Sequence, residues 1–158
     1  MNSIDISEFD KTNFKCYKYP DGSIYYGEVV YLDESGNLVT NTENYNEDMM
    51  KKLKLARHGL GVQLFGVNEN TSLCRYEGYW DKDKKHGQGN CFFPDKSIYD
   101  GNFSNNLFEG YGKFSWANND IYIGEWKDGM MDGEGEFKHN DGHVLKGKFR
   151  RNYFFDVK

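Results

Sequence analysis

Proline is almost absent, at 2 residues in 158, and the 3 cysteines are too few and too scattered for a framework. Cys16, Cys74 and Cys91 are odd in number and lack CxxC spacing, which excludes a disulfide scaffold and points to reduced thiols. No stretch approaches the roughly 20 apolar residues that a membrane-spanning helix requires. The N-terminus has no apolar h-region of a signal peptide, so the expected setting is cytoplasmic. Positive charge is not in excess either: 20 basic and 25 acidic residues leave a formal charge of -5. General attraction to nucleic acid or anionic lipid is therefore excluded as the main role. Hydrophobic residues reach only 37%, low for a closed globular core, and the length suits one domain or one short repeat array.

What the chain has instead is rings and glycines. Aromatics make up 17%, with 12 Tyr, 12 Phe and 3 Trp, and there are 18 Gly. A disordered linker would not be so rich in aromatics, so the glycines must serve backbone geometry in a folded, turn-dense β protein. Self-similarity is the first thing to test. Tyr76-Glu77-Gly78-Tyr79-Trp80, Tyr99-Asp100-Gly101-Asn102-Phe103, Tyr122-Ile123-Gly124-Glu125-Trp126 and Leu145-Lys146-Gly147-Lys148-Phe149 share one pattern, and their glycines are each 23 apart. A second signature, Gly-x-Gly, recurs in the same phase at Gly87/Gly89, Gly110/Gly112 and Gly133/Gly135. Tyr25-Tyr26-Gly27-Glu28-Val29 and Gly59-Leu60-Gly61 continue both signatures backwards, with 23 extra residues inside the first unit and 5 between Gly59 and Gly87. The domain reading is an N-terminal arm, 1–12, and an array of five units: 13–61 with an insertion at 31–56, 62–89, 90–112, 113–135 and a truncated 136–158.

Each unit reads as two strands. Tyr122, Gly124 and Trp126 alternate with Ile123 and Glu125, and period 2 puts rings and glycines on one face. Asp83, Asn106, Gly129 and Asn152 occupy one turn position, and Gly22, Asn119 and Gly142 the opposite one, all residues that tolerate a left-handed backbone; Lys96 is the exception. Glycines at the centre of the aromatic face leave room for rings to cross the backbone.

The pattern resembles the MORN family (membrane occupation and recognition nexus), whose unit runs approximately YxGxWxxGxxxGxG. The match is close from Tyr122-Ile123-Gly124-Glu125-Trp126 through Gly129 to Gly133-Glu134-Gly135. Val29 for Trp, Leu145 for Tyr and Asp156 for Gly are departures, which mark the first and last units as caps. The resemblance implies an all-β fold: an elongated, single-layer antiparallel sheet of consecutive hairpins, here with a short helical insertion. It implies no reaction. MORN arrays occur in ciliary radial spoke heads, in cytoskeletal collars and in membrane-contact proteins, so it also implies a cytoskeletal, axonemal or flagellar assembly.

Two segments break the repeat. In the insertion, Asn46 can cap a helix with Glu47 and Asp48 in its first turn, Lys54 and Arg57 at its end, and Met49, Met50, Leu53 and Ala56 on one side. This helix reads either as a lid on the array's aromatic face or as a docking helix. Tyr153-Phe154-Phe155 cannot all lie on one face, so at least one ring points away from the core. Chemistry is harder to find. His58 and His86 take equivalent places before Gly-x-Gly, and His139 and His143 sit on a turn without the Cys or carboxylates of a zinc site. The glycine signatures lie on strands and are not phosphate-binding loops. The expectation is a non-enzyme that uses neither metal nor cofactor and holds other proteins, with a helix or extended peptide on its aromatic face. Its candidate partner-binding residues are Trp80, Phe103, Trp126, Met49, Met50, Leu53, Tyr153, Phe154 and Phe155. A phospholipid or membrane-contact module, or a regulatory subunit acting on an enzyme in trans, is the alternative.

Overall fold

The computed structural model describes residues 14–66 and 75–155. In chain order they form β1 (Phe14–Lys18), β2 (Ile24–Leu32), β3 (Leu38–Val39), α1 (Glu47–Lys51), β4 (Lys54–Leu64), β5 (Arg75–Asp81), β6 (Lys84–Phe92), β7 (Ile98–Ser104), β8 (Leu107–Ser115), β9 (Ile121–Lys127), β10 (Met130–Lys138), β11 (Val144–Arg150) and β12 (Tyr153–Phe155). All strands join one open antiparallel sheet in which sequence neighbours are sheet neighbours, with the short β3 alone off the path and paired to β2. β1 and β12 are its edges. The arm at 1–12 lies outside the described residues, as do the 5 extra residues of the second unit, which fall in the connection 67–74.

The period is the length of one hairpin and its link: seven residues in β7, a two-residue turn at Asn105–Asn106, nine in β8, and five more to β9. The short turns have positive φ at both central residues, Lys82–Asp83, Asn105–Asn106, Asp128–Gly129 and Arg151–Asn152, as tight hairpins of the primed kind require. Asp83, Asn106 and Asn152 also bind backward to the preceding hairpin. Asn106 Oδ1 accepts from Lys85 N at 2.8 Å while its own N–H donates to Lys85 O at 3.0 Å, and Asp83 and Asn152 repeat the exchange with Arg57 and Met131. The five-residue links turn through Lys96 (φ 75), Asn119 (φ 70) and Gly142 (φ 94), and Asp95, Asn118 and Asp141 each accept from the N–H two residues on.

Register lines nine glycines into one row across the sheet: Gly27, Gly61, Gly78, Gly89, Gly101, Gly112, Gly124, Gly135 and Gly147, each opposite the next. Tyrosine rings fill the trough they leave. A Cβ on Gly89 would stand 2.5 Å from Tyr76 Oη, and one on Gly101 would stand 2.6 Å from both Tyr99 Oη and the Gly112 Cα. In the hairpins β2–β4, β5–β6, β7–β8 and β9–β10 the pairing shifts after this row, as from Gly78↔Gly89 to Trp80↔Lys85, so the second strand carries a bulge. The first glycine of Gly-x-Gly sits in it, Gly87 with φ 64. The bulge leaves a carbonyl without a ladder partner, and the tyrosine hydroxyl takes it: Tyr25 Oη donates to Glu28 O at 2.7 Å, Tyr76 to Tyr79 O at 2.8 Å, Tyr99 to Asn102 O and Tyr122 to Glu125 O at 3.0 Å.

The insertion is shorter than expected. β2 runs on to Leu32 and β4 starts at Lys54, pairing Tyr31 with Leu55 and Val30 with Ala56, so only 33–53 leave the hairpin. Asn46 does cap α1, accepting from Met49 N at 2.9 Å, but the helix stops at Lys51. Ala56, 1% exposed, and Arg57 belong to β4, where pairing satisfies the backbone and buries the alanine. The four-residue apolar stripe is thereby broken, and α1 buries none of its residues, so this helix is not packed as a lid on the aromatic face.

Candidate functional site

Because side chains alternate, the second strands bring further positions to the ring face. Phe65, Phe93, Trp116 and His139 stand four residues after the second glycine, and Gln63, Cys91, Phe114 and Phe137 two residues after it. The ring face therefore has two levels. At the lower level Tyr25, Tyr76, Tyr99 and Tyr122 are fully buried, with Trp80, Phe103, Trp126 and Phe149 set edge-on against them at centroid distances of 5.0 to 5.2 Å. Trp126 Nε1 donates to Gly112 O at 3.1 Å, which seals the indole into the core. Burial pushes these tyrosine hydroxyls above their ordinary range, Tyr122 up to about 12, and the Cys91 thiol up to about 11.

Above it runs a strip of half-buried rings. Phe93 meets Phe114 at 5.5 Å, Phe114 meets Trp116 at 4.5 Å, Trp116 meets Phe137 at 5.2 Å and Phe137 meets His139 at 4.7 Å. Phe108 stacks on Tyr99 at 3.7 Å and joins the strip. One position turns from apolar to cationic along the array: Arg57 and Lys85 occupy the place of Phe108, Met131 and Phe154. The Arg57 guanidinium lies 4.2 Å above Trp80 and binds Asp83 Oδ1 at 3.1 Å, Asp83 O at 3.2 Å and the buried Gln63 at 3.1 Å. Lys54 adds a 2.9 Å ion pair to the same carboxylate.

The structure separates the nine expected binding residues into three groups. Trp80, Phe103 and Trp126 are 4%, 3% and 5% exposed, which corrects the expectation that they stand open to a partner: neighbouring rings and backbone cover them. Met49 is exposed and Met50 and Leu53 half-buried, at the β2–β4 end. Tyr153 and Phe155 are exposed on the far edge, on the side away from Phe154, which packs on Phe149 at 5.2 Å. Met49 and Tyr153 thus belong to opposite ends of the sheet. The half-buried rings Phe93, Phe108, Phe114, Trp116 and Phe137 escape the motif because their positions vary in residue type from unit to unit.

Among the described residues no three His, Cys, Asp or Glu side chains group as a metal site would, and no helix is long and apolar enough to cross a membrane. His58 Nδ1 lies 3.3 Å from Asp81, and His143 Nδ1 lies 3.0 Å from Asp141, whose carboxylate holds the imidazole pKa above its ordinary value. Both pairs belong to turns or strand ends.

A tyrosine across a glycine pair, a ring two residues past the glycine and a bulge glycine before the next recur every 23 residues. The MORN repeat model matches three consecutive units, 76–98, 99–121 and 122–144. Residues 76–144 are three MORN repeats. The three MORN units begin at Tyr76, Tyr99 and Tyr122, the tyrosines that lie across glycine pairs, and each also has a full ring two residues past its first glycine. MORN repeats are consistent with a binding or scaffold role, through proteins or membranes, and the family is in general a non-catalytic module.

Proposed function

We propose that this chain is a non-catalytic scaffold or assembly subunit that binds other proteins, within a cytoskeletal or ciliary complex of the radial-spoke kind. The observation that carries the binding role is the strip Phe93–Phe114–Trp116–Phe137, a run of half-buried rings lying on a core that is already complete beneath it. These rings cap the Tyr–Gly layer and keep part of their surface in solvent, which offers a partner a continuous apolar strip. The cytoskeletal setting rests on the resemblance to MORN arrays of spoke heads and collars.

The test is affinity purification from the native cell with wild type and a Phe114→Ala/Trp116→Ala variant whose circular dichroism matches wild type. Loss of a reproducible set of partners in the variant supports the reading, and an unchanged set removes it. Sedimentation with acidic phospholipid vesicles tests the alternative of a membrane-contact module. A tagged chain that does not co-localise with axonemal or cytoskeletal markers would discard the setting.

A further inference from the structure

We propose that Lys85 is the seat for a partner's carboxylate, and that the ring strip takes an amphipathic helix laid across the strands, its acidic residue over the second unit and its apolar stripe running toward the fourth. This rests on the reading of the strip as a protein-binding face and names the chemistry of the partner.

Lys85 takes the position that Phe108 and Met131 hold in the next two units. Phe108 spreads over Tyr99, whereas Lys85 places its ammonium 5.6 Å from the ring centres of both Tyr76 and Phe65. It is a cation set among rings, where the row that is apolar at Phe108, Met131 and Phe154 turns basic. Arg57, next along that row, is neutralised by Asp83, which also serves Lys54. Among the described residues Lys85 has no carboxylate partner, the charges that act on it being those of Cys91 and Arg57, and burial holds its pKa below the ordinary lysine value. A wholly apolar partner seated on the strip would strip the remaining water from this ammonium and leave it unpaired, which is costly. A partner carrying an Asp or Glu at that point replaces the water with a charge-assisted hydrogen bond. Lys85 therefore selects an acid, and selects where along the apolar stripe it must stand.

The backbone of the sheet selects the helix. An extended peptide gains its affinity from open strand edges, but β5 to β10 are hydrogen-bonded on both sides. A segment crossing their face must satisfy its own backbone, as a helix does. Spacing agrees. Successive units are two strands apart, about 9.6 Å, and residues i and i+7 of a helix are about 10.5 Å apart.

The probe is a synthetic helical peptide of about three heptads, long enough to span three units, with Glu at one end of a Leu/Phe stripe. Its controls are the same peptide with Gln for Glu and one with Glu moved to the middle of the stripe. Binding to the full chain is measured by calorimetry against wild type, Lys85→Met and Trp116→Ala. Methionine already fills this position as Met131, so Lys85→Met retains the fold, and a thermal melt verifies it. The expected result is that wild type prefers the Glu-end peptide over both controls by about tenfold, that Lys85→Met removes this preference without weakening the Gln peptide, and that Trp116→Ala weakens all three. Equal affinity for Glu-end and Gln peptides, equal losses in Lys85→Met, or no binding by wild type overturns the proposal. Lys85-dependent binding to acidic phospholipid vesicles with none to the peptides overturns it in favour of a lipid phosphate. Binding that ignores Lys85 but needs Trp116 removes this inference alone, whereas binding that ignores Trp116 also removes the reading of the strip.

Discussion

Tyr99 lies over Gly101 and Gly112, stacks on Phe108 at 3.7 Å and donates its hydroxyl to the Asn102 carbonyl at 3.0 Å. Packing and polar satisfaction at this side chain are separable by substitution. Tyr99→Ala removes both and should cost about 3 kcal/mol, the usual range for a buried ring. Tyr99→Phe keeps the ring, orphans one bulge carbonyl and should cost about 1 kcal/mol. Equal losses in denaturant titrations of the two variants would show that the ring itself contributes little. The glycines divide the same way. Gly101→Val or Gly124→Val places branches against the facing glycine and the tyrosine hydroxyl, so destabilisation should exceed that of Gly142→Ala, where nothing lies within 4 Å and only the positive φ resists. Lys96 is the reverse case. It holds φ 75 without the excuse of a small side chain, so Lys96→Gly should raise stability by about 1 kcal/mol, and an unchanged melting temperature would show that its link is already relaxed.

At the scale of the element, each hairpin is defined by its turn, its bulge and the exchange of hydrogen bonds with the hairpin before it. The insertion is peripheral to all three, since α1 buries no residue and β3 makes two pairs with β2. Replacing 33–53 by a two-residue Asn-Gly turn between Leu32 and Lys54 should leave the β2–β4 pairing intact and the melting temperature within a few degrees of wild type. Collapse of that variant would show that the insertion supports the first unit. Much of this was legible in the sequence because it is periodic: strand alternation, the glycine row and the left-handed turn residues each recur at 23. The helix end was misread because Leu53, Ala56 and Arg57 satisfy helical spacing equally well, and only the pairing of Val29–Leu32 with Lys54–Arg57 decides for a strand. The half-buried ring strip was missed for a related reason. Trp80 and Trp116 are both rings on the same face, and whether one is covered depends on the neighbouring hairpins, which spacing along one chain does not reveal.

For the whole molecule, the repeated tyrosine has a consequence that no single unit would show. Tyr25, Tyr76, Tyr99 and Tyr122 all have hydroxyl pKa values raised by burial above 10.0, and Cys91 is raised from 9.0 to about 11. A raised pKa means that the unfolded chain loses its proton first. The stabilisation from these groups is complete below the unfolded values and is lost as pH climbs through the folded ones. Each such group removes about 1.4 kcal/mol per pH unit in that window, so four tyrosines together remove about 5 kcal/mol per unit above pH 10. That is comparable to the whole stability of an ordinary domain. Lys85, with its pKa lowered, works in the opposite direction below the ordinary lysine value, but it is one group against five. The array should therefore unfold steeply a little above pH 10, before Tyr122 reaches its folded pKa of about 12. Tyrosinate absorbance of the buried rings should rise together with loss of the β-sheet circular dichroism, and Tyr99→Phe should make the pH dependence shallower by one group's share. Gradual tyrosine ionisation near pH 10 with the sheet signal unchanged would mean that the hydroxyls reach water in the folded state, contrary to the buried row that the glycines create.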